Sequence, residues 1–241
     1  MIRAATRTGV LEIALERPEA KNALDLDMVR ELRLALSAVT REIRVVVVKS
    51  AVPGVFSLGM DLAALQGGIA AGASSPQVHA ACDEYVGLLK DLSALRAISI
   101  AEVGGMAVGG GVDLLAACDL VIASDRAAFS IAQLRKGIFP LTTSGVVIPR
   151  IGQREFLYWM LSGQNYSADK VRRLGLVSQV VPHDQLGARV AALVERILSY
   201  DAEAVRLGIE ALRIGHLPLA ERLDHLGVLL ALNCQIPRGA R

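Results

Sequence analysis

Apolar and polar positions alternate over residues 10–15, which predicts a short strand ending at the Arg17-Pro18 turn. Met28, Leu32, Leu36 and Val39 recur at helical spacing, and Asp25 stands where an N-cap belongs. Residues 43–48 are dense in β-branched side chains, the pattern of a strand buried on both faces. Pro53-Gly54 marks a turn into Phe56-Ser57-Leu58-Gly59-Met60-Asp61, and the Ala/Gly/Ser-rich residues 67–75 predict a surface loop. A helix follows over residues 77–92, with Val78, Cys82, Tyr85, Leu88 and Leu89 on one side. Residues 97–103 read as a strand running into Gly104–Gly111, and residues 112–118 as a helix. Residues 120–123 and 128–130 read as short strands; beyond Gly152 the pattern is mostly helical, apart from an extended stretch at 177–181.

The chain therefore changes character near Gly152. Residues 1–151 alternate strands and helices as a core, and residues 152–241 form a helical region. Recurrent strand-strand-helix units predict an α/β fold.

Composition narrows the function. Over 241 residues the net charge is only +2, Lys and Arg are scattered, and 4% of residues are aromatic. Neither an electrostatic footprint for nucleic acid nor a stacking platform for single strands is indicated. No run of about 18 apolar residues suggests a membrane span, and residues 1–18 lack the apolar core of a signal peptide, so the cytoplasm is expected. Cys82, Cys118 and Cys234 are too dispersed for a disulfide framework or zinc knuckle. His79, His183, His216 and His225 show no metal-ligand spacing.

The glycine run carries the chemistry. Gly109 and Gly111 meet two places of a dinucleotide fingerprint, but the third is Leu114. Gly104 and Gly109 begin a P-loop pattern that fails at Gly110, where lysine is needed. Two readings are left: glycines that permit tight packing or positive φ, and an anion site at a helix N-terminus, suited to an oxyanion hole.

Four segments in order bear on the choice. Arg17-Pro18-Glu19-Ala20-Lys21-Asn22-Ala23-Leu24 resembles the N-terminal signature of the crotonase (enoyl-CoA hydratase/isomerase) superfamily. Phe56 to Leu62 is similar to its first oxyanion segment, and Gly105 to Leu114, continuing to Leu120, to its second. Leu174 to Pro182 resembles a later family landmark. The resemblance implies a crotonase-like ββα spiral, closed by a C-terminal helical trimerisation region that builds a homotrimer or a dimer of trimers. It implies an acyl-CoA substrate, with CoA arriving as part of it and no metal or redox cofactor. The two amide donors map to Met60 and Gly110, flanked by Leu58, Asp61 and Gly109. Lys21, Ala23 and Leu24 map to the pantetheine and nucleotide end.

Proton transfer is where the chain departs from the family. Asp113, one helical turn beyond Gly110, takes the place of one catalytic glutamate, with a side chain shorter by about 1.5 Å. The second glutamate is replaced by Gln133, which can orient water or substrate but cannot shuttle a proton. An Asp in this glycine segment also resembles the dienoyl-CoA isomerase subgroup, which keeps further acids where residues 137–144 have none. Asp61 is expected to fix its turn, Asp119 to close a helix, and Asp83, Glu84 and Tyr85 to lie on a helix shaping the acyl pocket, mainly as surface charge.

The expected activity is thioester enolate chemistry: enoyl-CoA hydration/dehydration or double-bond isomerisation, by a lyase or isomerase of fatty acid metabolism. The alternatives are a catalytically weak or inactive acyl-CoA-binding homologue, and a dehydratase or decarboxylase on carrier-bound acyl thioesters. The latter is suggested by a local likeness to polyketide β-branching enzymes.

Overall fold

The computed structural model describes residues 1–61, 72 and 74–236. Along the first half run β1 (Ile2–Arg7), β2 (Val10–Leu15), β3 (Ala23–Leu24), α1 (Leu26–Ser37), β4 (Val45–Ser50), β5 (Val55–Ser57) and β6 (Gly59–Met60). Then come α2 (Ser75–Ser93), β7 (Ile98–Val103), β8 (Met106–Val108), α3 (Gly110–Ala116), β9 (Leu120–Ser124) and β10 (Ala128–Ser130). The rest comprises α4 (Leu141–Ile151), α5 (Gln153–Ser162), β11 (Asn165–Ser167), α6 (Ala168–Arg173), β12 (Gln179–Val181), α7 (Leu186–Ser199), α8 (Ala202–Arg213) and α9 (Leu219–Cys234).

Successive strand pairs wind as a spiral. One strand of each pair joins a six-stranded sheet in the order β1-β2-β4-β7-β9-β12, parallel except for the β1–β2 hairpin. The next strand turns away into a four-stranded sheet, β11-β10-β8-β5. A parallel sheet is covered on both faces, which is why Val45, Val46, Val47 and Val48 are all buried. Side chains at one parity face α1, α2 and α3, where Met28, Leu32, Leu88, Leu92 and Leu115 fill the main core. Those at the other parity, Val10, Val45, Val47, Ile100 and Ile122, pack on α7 through Leu186, Val190, Val194 and Ile197. Each such aliphatic side chain contributes roughly 1.5–3 kcal/mol on burial. Arg44 fastens α7 at its C-terminal end, donating to the carbonyls of Ile197, Leu198 and Tyr200, where the helix dipole favours a cation.

Several expectations shift. The glycine helix begins at Gly110 instead of Val112, because Gly109, at φ 50°, offers its carbonyl to the amides of both Val112 and Asp113. β11 has no strand pattern of its own, yet it pairs antiparallel with β10, and its Tyr166 stacks on Trp159 with ring centroids 4.4 Å apart. Trp159, Tyr166 and Val171 belong to the main core, so side chains from both sides of Gly152 share one interior. The loop expected at 67–75 falls largely outside the described residues, and Ser75 already opens α2. No helix among the described residues is long and apolar enough to cross a membrane.

Candidate active site

The Arg17–Asp25 turn is built around two residues with left-handed backbone, Lys21 (φ 50°) and Asn22 (φ 55°). Asparagine tolerates that region, and here its buried side chain is fully used. Oδ1 accepts from the Arg17 amide at 2.8 Å, while Nδ2 donates to Ser50 Oγ at 2.8 Å and to the Phe56 carbonyl at 3.0 Å. Asn22 thus welds the turn to β4 and β5. Directly after it, β3 pairs in parallel with β6, Ala23 opposite Gly59 and Leu24 opposite Met60. Arg17 reinforces this joint by donating to the Ala23 carbonyl at 2.7 Å and to Asp61 at 2.9 Å, and by pairing with Asp25 at 3.2 Å. The Asp61 carboxylate thus meets the Arg17 guanidinium at this joint. The Lys21 side chain is exposed on the same turn.

Met60 and Gly110 come together because three glycines remove the atoms that would separate them. A Cβ on Gly59 (φ 82°) would lie 2.5 Å from the Gly110 nitrogen, and one on Gly111 would lie 2.3 Å from the Ser57 carbonyl oxygen. The Asp61 amide donates to the Leu24 carbonyl at 2.9 Å. Strand alternation then turns the Met60 amide to the opposite side, where its nitrogen is 2.9 Å from the place of a Cβ on Gly110. Gly110 is the first residue of α3, so its N–H has no acceptor within the helix. Both residues, with Leu58 and Gly109, line a cavity of about 350 Å³. The glycines permit tight packing, and that close approach brings the two amides to one cavity wall.

Asp113 also lines that cavity and is only 1% exposed. Its Oδ2 accepts from Tyr85 at 2.9 Å and from Thr142 at 2.8 Å, whereas Oδ1 is buried without a partner. Burial raises its pKa above the ordinary carboxylate value, against the opposing pull of the Thr143, Thr142 and Tyr85 hydroxyls. Burial likewise lifts the Tyr85 phenol well above its usual value, helped by the nearby Asp113 charge. Gln133 lies in a 3-10 turn (Gln133–Lys136) and donates to Thr143 Oγ1 at 3.2 Å; its Oε1 is buried and unpartnered. A carboxylate and a carboxamide with one bare oxygen each thus face the same cavity as the two amides.

The sequence reading missed the hydroxyl groups around Asp113. Tyr85, expected on the apolar side of its helix near the acyl pocket, is buried beside Gly110, and its hydroxyl on Asp113 was not foreseen. Glu84 pairs with Arg33 and Asp83 is exposed. Residues 137–144 were read only for their lack of acids, yet they deliver Thr142 and Thr143; no local pattern marks those hydroxyls. Asp119 accepts from the amide and hydroxyl of Ser99, tying α3 back to β7. A larger groove of about 790 Å³ lies between α1, α2 and α8, lined partly by Arg41, Arg96 and Arg206, but none of the amides or acids above reaches it.

The fold thus sets two backbone amides beside a buried carboxylate at the wall of one cavity. Residues 5–216 match the family model described as Enoyl-CoA hydratase/isomerase, and the chain belongs to that family. It is 33% identical over 214 residues to human enoyl-CoA hydratase domain-containing protein 2, mitochondrial, covering 86% of this chain and 72% of that protein. It is 31% identical over 226 residues to a probable enoyl-CoA hydratase of Rhizobium meliloti (strain 1021), covering 92% of this chain and 84% of the relative. In three dimensions it resembles the enoyl-CoA hydratase of Mycobacterium smegmatis, with a TM-score of 0.92 and 26% identity, over 98% of this chain and 91% of that one. The fold is the crotonase α/β fold with a C-terminal helical region.

Proposed function

We propose that the protein acts on enoyl-CoA thioesters as a double-bond isomerase, using one carboxylate to move one proton. The thioester oxygen is bound by the N–H groups of Met60 and Gly110, whose stabilisation of an enolate is worth about 10²–10³ in kcat per donor. Asp113 takes a proton from C2 and returns it at C4, so the same group is base and then acid. Such transfer needs no metal or redox group, and CoA arrives with the substrate, its nucleotide end near Lys21, Ala23 and Leu24. A cytoplasmic site of action is part of this reading. So is self-association as a trimer, which would cover Leu223, Val228 and Leu230, exposed on α9.

The observation that carries the reading is the bare, buried Oδ1 of Asp113 at the cavity wall, in a site where Gln133, at the place of the family's second acid, is an amide. Hydration is the second reading, supported by the unpartnered Oε1 of Gln133, which would hold a water that adds at C3 while Asp113 gives its proton to C2 and takes up the one the water loses. A panel of 3-enoyl-, 2-enoyl-, 3-hydroxyacyl- and dienoyl-CoAs separates the two. The proposal expects turnover of 3-enoyl-CoA that Asp113→Asn reduces by at least about 10²-fold. Turnover of 2-enoyl-CoA to the hydroxy product, lost in Gln133→Ala, would select hydration. Binding without turnover would leave an acyl-CoA-binding homologue, and turnover confined to carrier-bound thioesters would point to a dehydratase or decarboxylase of that kind.

A further inference from the structure

The short hydrogen bonds that anchor Asp113 fall on Oδ2, with the Thr143 hydroxyl a further neighbour of the carboxylate. Tyr85 reaches Oδ2 from α2 at 2.9 Å and Thr142 reaches it from α4 at 2.8 Å. Two donors on one oxygen, arriving from different helices, fix the rotation of the carboxylate and select the oxygen that meets a substrate. The same phenol lies 3.3 Å from the Gly110 carbonyl and 2.7 Å from where a Cβ on Gly110 would stand. Tyr85 is therefore in contact with the oxyanion turn and with the acid at once, and residue 110 has no room for a side chain partly because Tyr85 is there. The other titratable side chains lining this cavity among the described residues are Cys82, also from α2, and Lys136 from the 3-10 turn. Neither is hydrogen-bonded to Asp113.

We infer that Tyr85 is a positioning residue which, with Thr142, holds Asp113 so that Oδ1 alone exchanges the substrate proton and sets the pH at which that oxygen is ready. The inference rests on the enolate reading above. Oδ1 takes the proton from C2, and the C–H electron pair passes into the dienolate whose oxygen lies on the two amides. The proton on Oδ1 then goes to C4, and the electron pair re-forms the double bond between C2 and C3. Tyr85 loses no proton in this cycle. Its buried phenol stays protonated, which keeps it a donor to the ionised acid.

The test is a titration of Asp113 by carbon NMR in protein labelled at aspartate Cγ, the resonance assigned with Asp113→Asn. It is run on wild type, Tyr85→Phe and Thr142→Val, beside kinetics on 3-enoyl-CoA. Each variant removes one donor to the charged form, so Asp113 is expected to ionise at higher pH in both. The acid limb of kcat/KM should follow. On that limb kcat/KM should fall about tenfold, as loss of a hydrogen bond to a charged group implies, with KM little changed. An Asp113 titration unchanged in both variants would overturn the inference, as would a uniform loss of activity without movement of the limb. The NMR readout needs no turnover, so it stands apart from the functional reading, whose own failure shows as wild-type inactivity over the thioester panel.

Discussion

Gly59 and Gly110 touch backbone to backbone, so that a methyl group on the first would sit 2.5 Å from the amide nitrogen of the second. Neither glycine is replaceable, but for different reasons. Gly59→Ala adds a Cβ at φ 82° against fixed backbone, at a cost of about 1–3 kcal/mol or more. Its midpoint in urea should fall clearly. Gly110→Ala meets Tyr85 and the Met60 amide, so it should lose at least about 10²-fold in kcat with a smaller loss of stability. An alanine at 110 that leaves kcat intact would refute the assignment of the two donors.

Asp113 is costly to the fold. Its pKa is raised chiefly by burial, with the Thr143, Thr142 and Tyr85 hydroxyls opposing. The folded protein thus holds the proton more tightly than the unfolded chain. The contribution of this group to stability is complete below the ordinary carboxylate value and is lost as pH rises through the raised one. Asp113→Asn removes that loss, so its Tm should exceed wild type at neutral pH while activity falls. The gain should vanish near pH 3. A difference independent of pH would contradict the burial argument.

Asn22 makes three hydrogen bonds from a fully buried side chain. Asn22→Asp keeps its size but removes both donors, leaving the Phe56 carbonyl facing a carboxylate. The expected cost is about 2–4 kcal/mol, measurable by urea unfolding. Because this turn positions Ala23 and Leu24 against β6, KM for acyl-CoA should also rise. An unchanged stability would remove Asn22 from that role.

The three thiols should divide by environment. Burial, with the nearby Asp119 charge, pushes the Cys118 pKa up to about 12, whereas Cys82 and Cys234 are exposed. A chromogenic disulfide reagent at pH 8 should therefore count two thiols in the native protein and three in denaturant. Cys82 lines the cavity, so a bound acyl-CoA should slow the reaction of that thiol alone. Equal rates with and without ligand would place the acyl chain elsewhere.

The inner strands of the large sheet were legible because burial on both faces leaves a dense β-branched run such as Val45–Val48, a local signal; the edge strand β1, exposed along most of its length, was not. The Asp25 cap was legible for the same reason: its carboxylate accepts from the Met28 amide, three residues away. The expected donors and the acid came from the resemblance of two contiguous segments, Phe56 to Leu62 and Gly105 to Leu114, to the crotonase superfamily. β11 was not legible, since Asn165–Ser167 is a strand only by pairing with β10. The start of α3 was misjudged because Gly109, a turn residue, supplies its first carbonyl acceptor.

By itself the sequence determined the recurrent strand-strand-helix units and the glycine turn, whose periodicity and residue types are local; the spiral and the loss of a second carboxylate at Gln133 followed from the resemblance to the crotonase superfamily. Only the tertiary structure decided which oxygen of Asp113 is tied and which is bare. Tyr85 and Thr142 lie on separate helices far apart in the chain, and their hydroxyls meet the carboxylate only when both helices pack against α3.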